Sequence, residues 1–206
     1  MSTPARSAII LAISVGLALL MLTIINALTE QRIIEARRHW MLDNLSSVLP
    51  DGPFDSNPVD SVKKHIEPSL GSIEPLELYT AYQSGKPAAA VLEIVTMEGY
   101  SGMIRLLLGL LPDGSIVAVR VIEHKETPGL GDAIEKRKSD WIRQFELRSL
   151  SSNMPKRWQL KNSGGQFDGL TGATITSNAV IRAVHRAVSW YDVNKHRVFD
   201  KDITDK

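Results

Sequence analysis

The chain opens with an unbroken apolar run. Ala8 to Leu28 carries no charge over 21 residues, and its only polar side chains are Ser14, Thr23 and Asn26. As a helix at ~1.5 Å per residue it is ~32 Å long, enough for the ~30 Å hydrocarbon core of a bilayer. A cleaved signal peptide has a shorter apolar region, several preceding positive charges and a small-x-small site. Here Arg6 is the only early basic residue, and Asn26-Ala27-Leu28 makes a poor cleavage site. Residues 1–29 therefore read as an uncleaved transmembrane anchor. From Glu30 to Leu49 apolar residues recur at a loose helical spacing (Ile33, Ile34, Trp40, Met41, Leu45, Val48, Leu49) until Pro50-Asp51-Gly52-Pro53 ends the pattern. Residues 51–75 are rich in Pro, Ser and Asp, with a short helix expected over Pro58–Ile66, so residues 30–75 read as a helical stalk and linker.

After residue 75 the pattern changes. Leu76–Tyr82, Ala88–Met97, Gly102–Leu111 and Ser115–Glu123 are strand-like runs separated by Gln83–Pro87, Glu98–Ser101 and Pro112–Gly114. Gaps this short join antiparallel strands, because a parallel crossover needs a dozen residues or more. Asp132–Phe145 reads as a helix, Trp158–Lys161 as one further strand, and Asn162–Gly172 is glycine-rich. Ser177–Val193 is the last helix, with Val180, Ile181, Val184, Val188 and Tyr191 on one face. The expected class of residues 76–206 is α+β, an antiparallel sheet covered by helices, behind the one N-terminal transmembrane helix.

Composition narrows the function. Lys+Arg is 24, Asp+Glu is 23 and the net charge is +1, which excludes a general nucleic-acid binder. Cysteine is absent, removing disulfides, thiolate-bound zinc, iron–sulfur clusters and thiol catalysis together. Arg6 is the only charged residue before Glu30, so each sign numbers 23 from there on. Arg32, Arg37 and Arg38 follow the apolar run, and counting basic residues alone puts the bulk of the chain in the cytoplasm. The five histidines show neither H-x-H nor H-x-x-x-H spacing; they read as surface or partner-facing residues and not as metal ligands.

No G-x-S-x-G, G-x-x-x-x-G-K-[ST] or G-x-G-x-x-G motif is present. Two stretches carry candidate chemistry. His124-Lys125-Glu126-Thr127-Pro128-Gly129-Leu130-Gly131-Asp132 joins a strand to a helix, with Asp132 placed to cap it; it is either an ordinary connection or one wall of a polar ligand site. Phe167-Asp168-Gly169-Leu170-Thr171-Gly172-Ala173-Thr174-Ile175-Thr176-Ser177 places four hydroxyls in seven positions just before a helix. Thr176 or Ser177 would serve as N-cap. Four hydroxyls exceed what a cap requires, and a helix N-terminus suits a phosphate. The residues alone leave both a phosphate-bearing ligand and a plain cap open.

Taken together, Gly99-Tyr100-Ser101-Gly102-Met103-Ile104, Gly114-Ser115-Ile116, His124 to Gly131, Lys138-Ser139-Asp140-Trp141-Ile142 and Asp168 to Thr176 resemble, in order and spacing, the G-type subunit of the Rnf-type (Rsx-type) ion-translocating electron-transport complex. The last motif and the Glu-Thr-Pro-Gly-Leu-Gly loop are shared with the C-type subunit of the sodium-translocating NADH:quinone reductase. The resemblance spans nearly the whole chain and implies FMN joined through its phosphate to the second threonine of Asp-x-x-[Ser/Thr]-Gly-Ala-Thr. Here that is Thr174, with Asp168 opening the motif, Thr171, Gly172 and Ala173 leading to the acceptor and Thr176 following. It places Glu126, Thr127 and Leu130 near the flavin, with Lys161 as the lysine approaching it. Thr176-Ser177-Asn178 departs from the proline many members carry there, which touches the helix start and not the acceptor.

The function so implied is that of an electron relay within a multisubunit bacterial inner-membrane complex that couples electron flow to ion translocation. The resemblance further implies a protein that is not catalytic alone, that is matured by a flavin transferase, and whose soluble domain lies in the periplasm, against the arginine count. The apolar run Ala8–Leu28 contains no charged side chain to carry an ion, so pumping would belong to partner subunits. The alternatives are the sister quinone-reductase protein, which tends to be longer, and a membrane-tethered scaffold without redox chemistry.

Overall fold

The computed structural model describes residues 3–150 and 158–200. The chain divides into two compact units, Met1–Leu42 and Asp43–Lys206. The first consists of most of helix α1, Thr3–Ser46. Within its segment Arg6–Glu30 an 18-residue window reaches a mean hydropathy of 2.8, and by length and composition the segment is able to cross a membrane. Ser14, Thr23 and Thr29 each donate their hydroxyl to the carbonyl four residues back, so within the helix these polar groups are satisfied.

The second unit is built on one five-stranded sheet in the order β1-β2-β3-β4-β5, antiparallel throughout. The strands are β1 Lys63–His65, β2 Leu76–Gln83, β3 Lys86–Gly99, β4 Gly102–Leu110 and β5 Ile116–His124. Leu78, Leu92, Leu108 and Val119 form one cross-strand row, and Ile94, Leu106 and Val121 another. These rows face helix α2, Thr174–Val198. Val180, Ile181, Val184, Val188 and Tyr191 of that helix are all buried in the same core. The opposite face carries Tyr79, Val91, Leu107 and Ala118, also buried. Leu45 and Val48, at the end of α1 and just after it, are buried as well. A Cβ at Gly109 would lie 1.7 Å from the Val48 carbonyl oxygen, so only glycine admits the chain there. With both faces covered, β3 is buried at eight consecutive positions rather than at alternate ones; the one charge among them, Glu93, is paired with Arg105 of β4.

Three local expectations are corrected. Pro58–Ile66 is not a helix: a 3₁₀ turn at Pro58–Ser61 leads into edge strand β1. Asp132–Phe145 is not one helix but two 3₁₀ turns, Gly131–Ile134 and Trp141–Phe145. The break has a side-chain cause. Ser139 Oγ donates to the Ala133 carbonyl and accepts from Trp141 N, and Lys138 Nζ reaches back to Asp132, at 2.7 Å. These bonds compete with a helical ladder. Trp158–Lys161 contributes only a single parallel bridge, Leu160 to Phe167.

Around that bridge Phe145 stands at the centre of an aromatic cluster. Its ring centroid is 4.8 Å from Phe167, 5.7 Å from Trp141 and 6.5 Å from Trp158. The C-terminal end of α2 is joined to the sheet edge: Tyr82 Oη donates to the Phe199 carbonyl and Lys63 Nζ to the Asp200 carbonyl.

Candidate flavin site

The helix begins three residues before the sequence pattern suggests. Thr174 is its first residue and Ala173 its N-cap, with no side chain capping it. Neither Thr176 nor Ser177 is the cap, a second correction to the reading of this segment. Both are buried inside the first turn with other partners. Ser177 Oγ accepts from Leu170 N at 2.9 Å and donates to the Ala173 carbonyl at 3.0 Å, which folds the motif back over the helix start. Gly172, at φ +76°, supplies the left-handed backbone that this turn needs. The amides of Thr174, Ile175 and Thr176 belong to the first turn and lack intrahelical acceptors.

Thr174 is exposed and opens onto a cleft of about 480 Å³. One wall is the helix start from Gly172 to Thr176; the other is the β5-to-turn loop, with Glu126, Thr127, Leu130 and Gly131; Tyr100 of the β3–β4 turn closes the side. Of the residues singled out in the sequence, Thr174, Gly172, Ala173, Thr176, Glu126, Thr127 and Leu130 come together here. Asp168, Thr171 and Lys161 are not among the lining residues. Asp168 instead forms an exposed ion pair with Lys161 at 2.7 Å. Its main chain is gripped by Gln144, which accepts from Asp168 N at 2.8 Å, and by Trp141 Nε1, which donates to its carbonyl at 2.6 Å. Asp132 is not a cap either: its carboxylate pairs with Lys138.

Glu126 organises the cleft. It is 5% exposed. One carboxylate oxygen accepts from Ser101 N of the hairpin turn at 3.0 Å, the other from Thr176 Oγ1 at 2.5 Å. Two glycines make room for it, since a Cβ at Gly99 or at Gly131 would lie 2.7 Å from one of its oxygens. One buried carboxylate thus ties hairpin, loop and helix together beside Thr174. Tyr100, Gly131 and Ile175 were not singled out as site residues; Tyr100 and Ile175 are large apolar side chains left exposed, at 69% and 53%. An aromatic between two turn glycines, Gly99 and Gly102, is the sequence signal that marks Tyr100.

The donor set fits a flavin nucleotide. An exposed hydroxyl and an uncapped helix start suit a phosphate, and the apolar side chains of Tyr100, Leu130 and Ile175 suit a planar ring. Comparison with known proteins agrees. Residues 99–189 match the family described as FMN-binding domain. The G-type subunit of the ion-translocating oxidoreductase complex of Pseudomonas aeruginosa (strain UCBPP-PA14) is 39% identical over 194 residues, covering 94% of this chain and 91% of its own. Its counterpart in Pseudoalteromonas atlantica is 42% identical over 172 residues, covering 83% and 80%. That of Vibrio cholerae is 34% identical over 192 residues, covering 93% and 91%. Among solved structures, Shewanella oneidensis NqrC is similar at a TM-score of 0.47 and 18% identity, over 75% of this chain and 73% of that one. With identities of this size along nearly its whole length, the chain belongs to the family of G-type subunits of ion-translocating oxidoreductase complexes and carries its FMN-binding domain.

Proposed function

We propose that the chain is an electron relay whose FMN is held covalently, by a phosphoester to Thr174, within an ion-translocating oxidoreductase complex. The observation that carries this reading is the Thr174 hydroxyl, exposed at the uncapped start of α2 and facing the cleft. The helix-start amides and the positive end of the helix dipole would hold the phosphate, and Gly172-Ala173 leaves the approach to the hydroxyl free of bulk. Tyr100, Leu130 and Ile175 would flank the ring, and Glu126 would fix the loop against it. The bound flavin supplies reversible electron transfer, while the protein supplies position and electrostatic environment. Asp168 and Lys161, exposed and outside the cleft wall, are assigned to the outer surface that a flavin transferase meets. A tethered cofactor also suits a compartment where a dissociable one would be lost by dilution.

Intact-mass measurement tests the linkage. Full-length chain made together with its flavin transferase is expected to be heavier than the bare sequence by one FMN less one water. An unmodified mass after full maturation overturns the reading.

We further place Arg6–Glu30 across the bacterial inner membrane, with the FMN-binding domain in the periplasm beside the other members of the complex. The family resemblance supports this orientation against the arginine count. Protease added to spheroplasts is expected to digest the domain, and protection of the domain until the membrane is broken would reverse the assignment.

A further inference from the structure

His124 ends β5, directly before the loop that forms one wall of the cleft. Its side chain is not on the surface: it is 13% exposed and both ring nitrogens are engaged. Nδ1 lies 3.0 Å from the backbone nitrogen of Glu126, whose N–H only donates, so Nδ1 is the acceptor and carries no hydrogen. Nε2, 3.0 Å from Glu135 Oε1, then carries the ring hydrogen and donates it. The geometry therefore selects the neutral Nε2–H tautomer.

We propose that His124 is a positioning residue for the cleft: its neutral ring pins the Glu126 main chain, and a proton taken from water at Nδ1 releases that pin. The amide of Glu126 has its acceptor in Nδ1, and the carboxylate of the same residue joins Ser101 N to Thr176 Oγ1, two residues beyond Thr174. A cationic ring presents an N–H to an N–H, and the Glu126 backbone must move away. Loop and helix start then lose their common anchor.

The charged groups around His124 come from each neighbouring segment. Glu135 lies in the following turn, with Arg137 and Lys138 on its carboxylate and Asp132 on Lys138. Lys125 and Glu126 follow in the chain, and Glu123 precedes, paired with Arg105 of β4. Hydrogen bonds from Lys138 and then Arg137 hold Glu135 down to about 2. The Lys138 hydrogen bond lowers Asp132, and its two carboxylate partners raise Lys138. This cluster therefore keeps its charges over the range in which imidazoles titrate. A flavin phosphate esterified to Thr174 is a diester and lacks the second ionisation of a free phosphate.

The optical part of the test rests on the covalent-FMN reading. Flavin absorbance and fluorescence of the full chain in detergent are followed from about pH 8 to about pH 5. The wild type is expected to show a reversible one-proton step. In His124→Asn the side-chain oxygen takes the place of Nδ1 and keeps the Glu126 bond without titrating. Its spectrum is expected to be flat and to match the wild type at high pH. His124→Ala is expected to be flat and to match the wild type at low pH. A step that survives in His124→Asn overturns the proposal. So does a His124→Ala spectrum equal to the high-pH wild type.

Nitrogen-15 resonances of the imidazole in flavin-free full-length chain decide the same point without the cofactor. A hydrogen on Nε2 with bare Nδ1 at high pH, and a Glu126 amide resonance that moves as the ring protonates, are expected. The opposite tautomer, or an unmoved amide, overturns it. A chain that never takes flavin but shows these resonances would refute the function and leave His124 standing.

Discussion

Replacing Thr174 by alanine is expected to leave a folded chain with no covalent flavin. On a denaturing gel the wild-type band, made together with a flavin transferase, is expected to fluoresce under ultraviolet light and the Thr174→Ala band to fall to background. The fold survives because Thr174 is exposed and, among the described residues, its hydroxyl has no hydrogen-bond partner. Surface changes of this kind stay within about 0.5 kcal/mol, and alanine is the better helix former. Thr174→Ser keeps the hydroxyl and is expected to stay bright. Thr171→Ala is also expected to stay bright, since Thr171 is not a lining residue of the cleft. Thr176→Ala removes a donor from the buried Glu126 carboxylate and costs stability, about 1–3 kcal/mol for the unsatisfied acceptor, without removing the acceptor of the flavin. A bright Thr174→Ala band beside a dark Thr171→Ala or Thr176→Ala band would move the attachment point.

A large loss of stability is expected at Phe145. The side chain is fully buried, with Trp141, Phe167 and Trp158 around it. Phe145→Ala removes a ring from a close-packed cluster and is expected to lower the unfolding free energy by about 3–5 kcal/mol, read as a reduced urea midpoint for the full chain in detergent. The same cluster supports the attachment motif from behind, because Phe167 precedes Asp168 and Trp141 donates to its carbonyl. A loss below about 1 kcal/mol would mean that the neighbours collapse into the vacated volume and that the cluster is not the rigid support described.

The main elements were legible because each has a local cause. Four apolar runs divided by Gly, Pro and Ser turns gave β2 to β5 and their antiparallel sense. The helical spacing of Val180, Ile181, Val184 and Tyr191 gave α2, and the uncharged run from Ala8 gave the membrane-length helix. Strand β1 was not legible, because three residues with two lysines carry no apolar pattern. The two 3₁₀ turns were missed because Ser139 and Lys138 redirect the chain through side-chain bonds that periodicity does not register.

The candidate site divides along the same line. Glycine and hydroxyl density marked residues 168–177, and resemblance picked Thr174 from among them. The role of Glu126 depends on partners 25 residues before it and 50 after it. His124 looked like one more surface imidazole because nothing in its neighbours reveals that both nitrogens are occupied.

That reach along the chain has a consequence for biogenesis. All four strand pairings join sequence neighbours, so the sheet is complete once residue 124 has emerged. The cleft is not, for the helix whose start forms one of its walls begins fifty positions later, at Thr174. A chain that has made only its meander therefore has no recess, and the cleft comes into being only when the final helix docks.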